Sequence, residues 1–133
     1  MKTVFADSYY FLALMNAQDE GHAKAIDFAR NFRGFTVTTE WVLTEVGDAL
    51  SQPLQRPAFL RVLEIAQGNP RVTIVEATHE LFARGIKLFA SRPDKDWSLT
   101  DCLSFVVMEE QAIRDALTAD HHCIQAGLNA LLN

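Results

Sequence analysis

The strongest constraint on the fold is a repeated change in the spacing of apolar residues along the chain. Short β-rich apolar runs alternate with longer stretches in which apolar residues recur at helical spacing. This alternation is typical of a parallel sheet covered by helices. The pattern therefore predicts an α/β fold, an α/β/α sandwich around a central parallel sheet of four to five strands. At 133 residues, a single domain spanning residues 1–133 is expected.

The apolar runs and the turn residues between them predict the individual elements. Strands are expected over residues 3–6, 35–38, 72–75 and 115–119, with a fifth at the sheet edge over residues 127–132. Helices are expected over residues 8–14, 21–32, 39–51, 59–66, 78–89 and 98–111. Gly34 is expected to end the second helix as a C-cap, and Pro53 and Pro57 to bracket the loop before the fourth. Thr78 and Ser98 are expected to cap the last two helices.

Charge and cysteine content exclude several classes of protein. Twelve Lys plus Arg against seventeen Asp plus Glu give a net charge of -5, which argues against broad electrostatic capture of DNA or anionic membrane. Any contact with nucleic acid must then be local. No apolar stretch or basic-then-apolar leader indicates a membrane span or a signal peptide, so a cytoplasmic protein without membrane contact is expected. Cys102 and Cys123 show no CxxC spacing and predict neither a disulfide framework nor a thiolate zinc site.

Four carboxylates are placed where they could form a site. Asp7 and Asp120 follow the first and fourth strands, at the rim where ligands bind to open parallel sheets. Asp101 lies in the first turn of a late helix, and Glu45 lies in a mostly apolar stripe of the third helix, where an unpaired charge is costly. Helix capping is an alternative explanation for the three aspartates, and solvation or simple pairing is one for Glu45.

Together the four carboxylates predict a metal site. If they converge, they repel one another unless a cation neutralises them. A set of oxygen ligands suits Mg²⁺ or Mn²⁺, whereas zinc prefers His or Cys. Such an ion lowers the pKa of a bound water and stabilises charge on a phosphodiester during in-line attack.

Other arrangements of reactive residues are weaker. His121, His122 and Cys123 include metal-ligand types, but adjacent residues rarely converge on one ion. Cys102 lacks an oriented third group that would make it a nucleophile, so a buried thiol is expected. A phosphatase with an aspartyl nucleophile after the first strand would want a second Asp where Tyr9 stands.

Four segments resemble the motifs of PIN-domain proteins, close to the VapC-type toxins of bacterial toxin–antitoxin pairs. They are residues 4–8 and 37–45, which end near the first two acids, and residues 95–102 and 116–122, which contain the last two. The resemblance runs nearly end to end. Cys123 and Leu128 depart from it, because the family commonly has aromatic residues at these positions.

The resemblance implies a Rossmann-like sheet and a metal-dependent endoribonuclease that uses Mg²⁺ or Mn²⁺ and is usually dimeric. It also implies that a toxin is silenced by an antitoxin whose C-terminal tail covers the acidic pocket. The metal ligands and catalytic residues carried over are Asp7, Glu45, Asp101 and Asp120, of which Asp120 is the more variable and acts through water or a second ion.

Neighbouring residues are expected to support this site. Ser8 and Thr100 are expected to hold the carboxylates by hydrogen bonds, and Arg92 and Lys95 are the first candidates for RNA phosphate contacts. Asp96 belongs either to the rim or to a solvated loop. The alternative function is a non-catalytic PIN-like binding module whose acidic pocket receives a cationic segment of a partner.

Overall fold

A parallel sheet flanked by helices forms the protein. The structure, a computed structural model, describes residues 2–133, so Met1 and any expectation that includes it lie outside the described residues. In this range the strands are β1 Thr3–Ala6, β2 Phe35–Thr39, β3 Val72–Val75, β4 Asp115–Leu117 and β5 Asn129–Ala130. The helices are α1 Ser8–Met15, α2 His22–Asn31, α3 Glu40–Ala49, α4 Arg56–Gly68, α5 His79–Ser91, α6 Leu99–Glu110 and α7 His121–Gln125. The predicted α/β sandwich with a parallel sheet is confirmed.

The order of the strands determines where a site can form. It is β3-β2-β1-β4-β5, and every pair is parallel. In the centre, Phe5 of β1 is in register with Val37 of β2 on one side and with Ala116 of β4 on the other. Strands β2 and β3 follow β1 on one side of the sheet, whereas β4 and β5 lie on its other side, so the strand order reverses between β1 and β4. A crevice therefore opens beyond the carboxyl ends of these two strands, the usual ligand position in such sheets.

The core surrounds the middle strand. Val4, Phe5 and Ala6 of β1 are almost fully buried, as expected for a parallel strand covered on both faces. Helix α6 adds a second apolar layer that includes Val107 and Met108. Both cysteines are buried free thiols. None of the helices between residues 2 and 133 is long and apolar enough to cross a membrane.

Hydroxyl side chains begin several helices. Thr78 Oγ1 accepts a hydrogen bond from Leu81 N at 3.2 Å, and Ser98 Oγ accepts one from Asp101 N at 3.0 Å, so both predicted caps are confirmed. Thr39 Oγ1 caps α3 in the same way, accepting from Val42 N at 3.1 Å.

Two expectations about glycine and proline were wrong. Helix α2 ends at Asn31 with Phe32 as its C-cap, so Gly34 does not cap it. Glycine is needed here for another reason: the backbone at Gly34 passes close to the backbone of Lys2. A Cβ at this position would lie 2.0 Å from the carbonyl oxygen of Lys2. Pro57 lies in the first turn of α4 rather than in the preceding loop. Proline is tolerated there because the backbone N–H groups of the first turn have no partner within the helix.

The last part of the chain differs most from the predicted elements. Strand β4 ends at Leu117 rather than at residue 119, because the chain turns away to let Asp120 cap the short helix α7. The edge strand is also shorter than predicted, covering Asn129–Ala130. These shorter elements bring the segment after β4 back across the end of the sheet.

The contact between α5 and α6 can be tested at Gly85. A Cβ there would lie 2.4 Å from Cδ2 of Leu103, a side chain that is only 3% exposed and has little room to move. We expect Gly85→Ala to destabilise the protein by about 1–3 kcal/mol through overpacking, despite the better helix propensity of alanine. Urea unfolding measures the change. Gly68→Ala, where nothing lies within 4 Å of the added carbon, is the matched control and should not destabilise; equal effects would contradict the tight contact.

Candidate metal centre

Asp7 is held at the carboxyl end of the central strand. It follows β1 and caps α1, with its Oδ1 accepting a hydrogen bond from Ser8 N at 2.8 Å. Burial raises its pKa from 3.8 to about 6, and the negative charges of Asp101 and Glu45 add to the increase. Hydrogen bonds from Ser8 N and the Thr118 side chain act in the opposite direction. Asp7 is therefore a carboxylate whose charge the surrounding protein does not fully compensate.

Glu45 is joined to the same region through Ser8. Glu45 is half-buried on α3, and Ser8 Oγ donates a hydrogen bond to its Oε1. Ser8 thus contacts two carboxylates, since its backbone N–H binds Asp7 and its hydroxyl binds Glu45. The support expected from Ser8 is present, and it ties α3 to the start of α1.

Asp101 is oriented by the start of α6. Its Oδ2 accepts a hydrogen bond from Ser98 N at 3.0 Å, which completes a capping box with the Ser98 hydroxyl. Nδ1 of His122 lies 3.1 Å from the same oxygen. Thr100, which was expected to support a carboxylate, forms no hydrogen bond to one in the described chain, because Ser98 occupies the capping position.

Asp120 is fixed at the start of α7. Its Oδ1 accepts a hydrogen bond from His122 N at 3.0 Å, and its backbone N–H donates to Thr118 Oγ1 at 3.1 Å. Because the Thr118 side chain also bonds Asp7, this buried threonine links the ends of the two central strands. Thr118 is a supporting residue that the sequence reasoning missed.

His122, which the sequence analysis considered only as a zinc ligand beside His121 and Cys123, contacts the acids instead. Its Nδ1 lies 3.1 Å from Asp101 Oδ2 and 3.4 Å from Asp120 Oδ2, and its Nε2 lies 3.5 Å from Asp96 Oδ1. Asp96 is otherwise well exposed, with 88% of its side chain accessible. The imidazole therefore stands among three carboxylates. Its place in the first turn of a helix capped by Asp120 is the sequence signal that could have identified it.

Three of the four predicted acids line one small cavity. Asp7, Asp101 and Asp120 meet there, and the space measures about 20 Å³. Glu45 does not line the cavity but is coupled to it through Ser8 and through its charge on Asp7. Thus the structure gathers three of the predicted acids around a common space and holds the fourth beside them.

The donor atoms around this cavity suit a hard cation. Carboxylate oxygens dominate the set, and burial, together with the charges of Asp101 and Glu45, raises the pKa of Asp7. Asp120, His121 and His122 also bring one potential ligand atom each within 4.8 Å of one another, closer than expected for adjacent residues. His121 is largely exposed, and His122 is already shared among the carboxylates. The residues present therefore fit an oxygen-coordinated divalent ion.

The predicted basic contacts lie on the loop that leads into α6. The Arg92 guanidinium forms two hydrogen bonds with Asp94, each of 3.0 Å, and lies 5.1 Å from the ring centre of Trp97. The hydrogen bond from Arg92 lowers the pKa of Asp94 to about 2. Lys95 Nζ lies 3.8 Å from Asp94 as well. Both cations are therefore partly engaged within their own loop.

The thiol of Cys123, where the sequence resemblance predicts an aromatic residue, is protonated at neutral pH. Cys123 is buried and lines the acidic cavity, and burial raises its pKa to about 11. Burial also raises the pKa of Cys102. Protonated thiols are poor nucleophiles, so thiol catalysis is disfavoured at both positions.

The comparisons with known proteins concern the fold. No protein-family model and no curated protein matches the sequence. Among solved structures, the chain is similar to VapC20 of Mycobacterium tuberculosis, a sarcin-ricin loop cleaving toxin. The two share 23% sequence identity, the match covers 94% of this chain and 95% of the other, and the TM-score is 0.85. The resemblance to VapC-type proteins is confirmed at the level of the fold.

The raised pKa of Asp7 predicts a pH-dependent effect of Asp7→Asn in EDTA. The folded protein keeps this proton up to about pH 6, whereas the unfolded carboxyl loses it near 3.8, so rising pH removes stability from the wild type only. We expect the melting temperature of the variant to rise relative to that of the wild type between pH 4 and pH 8. The corresponding gain in the free energy of unfolding is at most about 3 kcal/mol. Asparagine also preserves the helix cap. Glu45→Gln and Asp101→Asn should not lower the melting temperature at pH 8, because each removes one of the repelling charges.

Asp115→Asn is the matched control for that experiment. A hydrogen bond from Asn129 and the charge of Lys2 lower the pKa of Asp115, so its ionised form stabilises the fold as pH rises. This amide should therefore lose stability at pH 8. If Asp7→Asn falls in the same way, Asp7 is a stabilising cap rather than a strained ligand.

Proposed function

We propose that this protein is a Mg²⁺- or Mn²⁺-dependent endoribonuclease that hydrolyses RNA phosphodiester bonds. The observation that carries the proposal is the meeting of Asp7, Asp101 and Asp120 at one cavity beyond β1 and β4, with Glu45 bound to Ser8 beside it. The fold shared with an RNA-cleaving toxin supports the same activity.

The roles of the side chains follow from their contacts. A bound divalent ion would supply Lewis-acid stabilisation of the phosphodiester and activation of water. Asp7 and Asp101 are the main ligands, because Ser8 N and Ser98 N hold one oxygen of each. Ser8 orients Glu45, and His122 keeps Asp101 and Asp120 close together. Asp120 would act through water or a second ion.

We propose further that the protein acts as the toxin of a toxin–antitoxin pair and forms a homodimer. The motifs and the fold of a VapC-type toxin support this assignment. A cationic C-terminal tail of an antitoxin would complement the negative charges of the acidic cavity. Co-purification with a small protein encoded immediately upstream, followed by loss of nuclease activity in the complex, tests the pairing.

Carboxamide substitutions test the nuclease site directly. We expect Asp7→Asn, Glu45→Gln and Asp101→Asn each to reduce RNA cleavage by more than about 100-fold, because loss of a ligand should exceed the 10–100-fold cost of losing an outer partner. Purified protein is assayed on RNA with Mg²⁺, Mn²⁺ or EDTA. EDTA should abolish wild-type cleavage.

Asp48→Asn is the matched control for the loss of one carboxylate on α3. Asp48 is exposed and one turn beyond Glu45, so its amide should retain activity within a few-fold. Cleavage that persists in EDTA would contradict the metal mechanism. RNA binding without cleavage in any metal would favour the non-catalytic module, and turnover of small phosphate esters alone would favour a phosphatase.

Salt dependence tests the path of the RNA. Arg92 and Lys95 precede the helix that carries Asp101, and we propose that they contact phosphates. Each lost phosphate contact should reduce the log–log salt slope of binding by about 0.7 for single strands. Fluorescence anisotropy with Asp101→Asn as the background measures this slope without cleavage.

Arg61→Ala is the control for a lost surface charge. Arg61 lies exposed on α4, which packs against β3 at the opposite edge of the sheet. Its removal should leave the slope unchanged. If Arg92→Ala and Lys95→Ala also leave it unchanged, the RNA follows another surface.

A further inference from the structure

Ser104 carries a buried hydroxyl without a partner. It lies on α6 one turn beyond Asp101, within an otherwise apolar buried run, and is only 5% exposed. Among residues 2–133, its Oγ is the one fully buried side-chain oxygen or nitrogen that lacks a hydrogen bond. Serine in a helix often bonds the carbonyl one turn back, but Ser104 makes no such bond. A buried hydroxyl without a hydrogen bond destabilises the fold, so this arrangement calls for an additional partner.

The small acidic cavity provides room for that partner. Ser104 lines it together with Asp7, and its volume of about 20 Å³ is sufficient for one water molecule. Polar groups are numerous enough to bind a water, which needs two to four hydrogen-bond partners. The inner wall is apolar and includes Phe5, Met108 and Ala116. The part of the cavity next to that wall therefore suits a neutral water, and the carboxylate oxygens remain the groups that suit a cation.

We propose that one ordered water occupies this cavity and bridges Ser104 Oγ to the carboxylate of Asp7. Asp7 is the favoured second partner because burial removes its carboxylate from solvent by more than its hydrogen bonds from Ser8 N and Thr118 compensate. Asp101 Oδ2 lies against Ser98 N and His122 Nδ1, and both Asp120 oxygens lie against His122. The water would fill the cavity beside Ser104, and the carboxylates would hold a divalent ion at their rim. Ser104 is thus a positioning residue that acts on Asp7 through the water.

The positioning role has a measurable consequence for metal binding, and this part rests on the proposed function. Outer groups that orient metal ligands typically contribute 10–100-fold to metal affinity. Ser104→Ala removes the hydroxyl that anchors the water but keeps the helix and nearly all the packing. We therefore expect Mn²⁺ affinity, measured by calorimetry without RNA, to weaken by about 10–100-fold in this variant.

Val106→Ala is the matched control. Val106 is also buried on α6, at 6% exposure, but it does not line the cavity. This variant should lose stability through a packing defect while its Mn²⁺ affinity stays that of the wild type. A fall in affinity that merely follows destabilisation would appear in both variants and would overturn the positioning role.

A high-resolution crystal structure of the metal-free protein tests the water itself. We expect a density peak about 3 Å from both Ser104 Oγ and an Asp7 oxygen, and its absence from Ser104→Ala. An empty cavity, or a Ser104 hydroxyl bonded to the Thr100 carbonyl, would overturn the proposal. Unchanged Mn²⁺ affinity in Ser104→Ala would overturn the positioning role. If the wild type binds no Mn²⁺ with or without RNA, the nuclease proposal fails, while the density still decides the water site.

Discussion

The acidic site depends on the central position of β1 in the sheet. Because β2 and β4 flank this strand on either side, its carboxyl end lies at the point where the strand order reverses. Asp7 then stands opposite the segment that follows β4, and Thr118 joins the two by hydrogen bonds to Asp7 and to the backbone of Asp120. The same topology brings residues distant in sequence to one cavity.

Helix capping and metal binding are compatible roles for the three aspartates. Asp7 caps α1, Asp101 completes the capping box of α6, and Asp120 caps α7. A carboxylate in such a position accepts backbone N–H bonds, and the positive end of the helix dipole at α1 and α6 favours its charge. Capping therefore offsets part of the repulsion among the acids and leaves each with a defined orientation. Burial, with a smaller contribution from the neighbouring charges, still raises the pKa of Asp7.

The sequence was sufficient for the fold and the acids but not for the groups around them. The spacing of apolar residues and the turn residues located the strands, because both signals are local in sequence. The motif segments singled out the four acids Asp7, Glu45, Asp101 and Asp120. The errors at Gly34 and at the end of β4 arose because long-range contacts decide both: a backbone approach to Lys2 and the turn into α7. The bonds that join Thr118 to Asp7 and His122 to Asp101 likewise cross between elements, whereas the support from Ser8, which adjoins Asp7, was predicted.

Cys123 and Ser104 line the same small cavity. The resemblance to PIN-domain proteins leads us to expect an aromatic ring where the thiol of Cys123 stands. A ring there would need volume that the small thiol leaves open, and interiors tolerate such additions poorly. The open volume is large enough for a water, and the unsatisfied hydroxyl faces it. In this chain, the proposed water would therefore hold the Asp7 carboxylate in place through hydrogen bonds. An aromatic ring at the position of Cys123 would support it by packing instead.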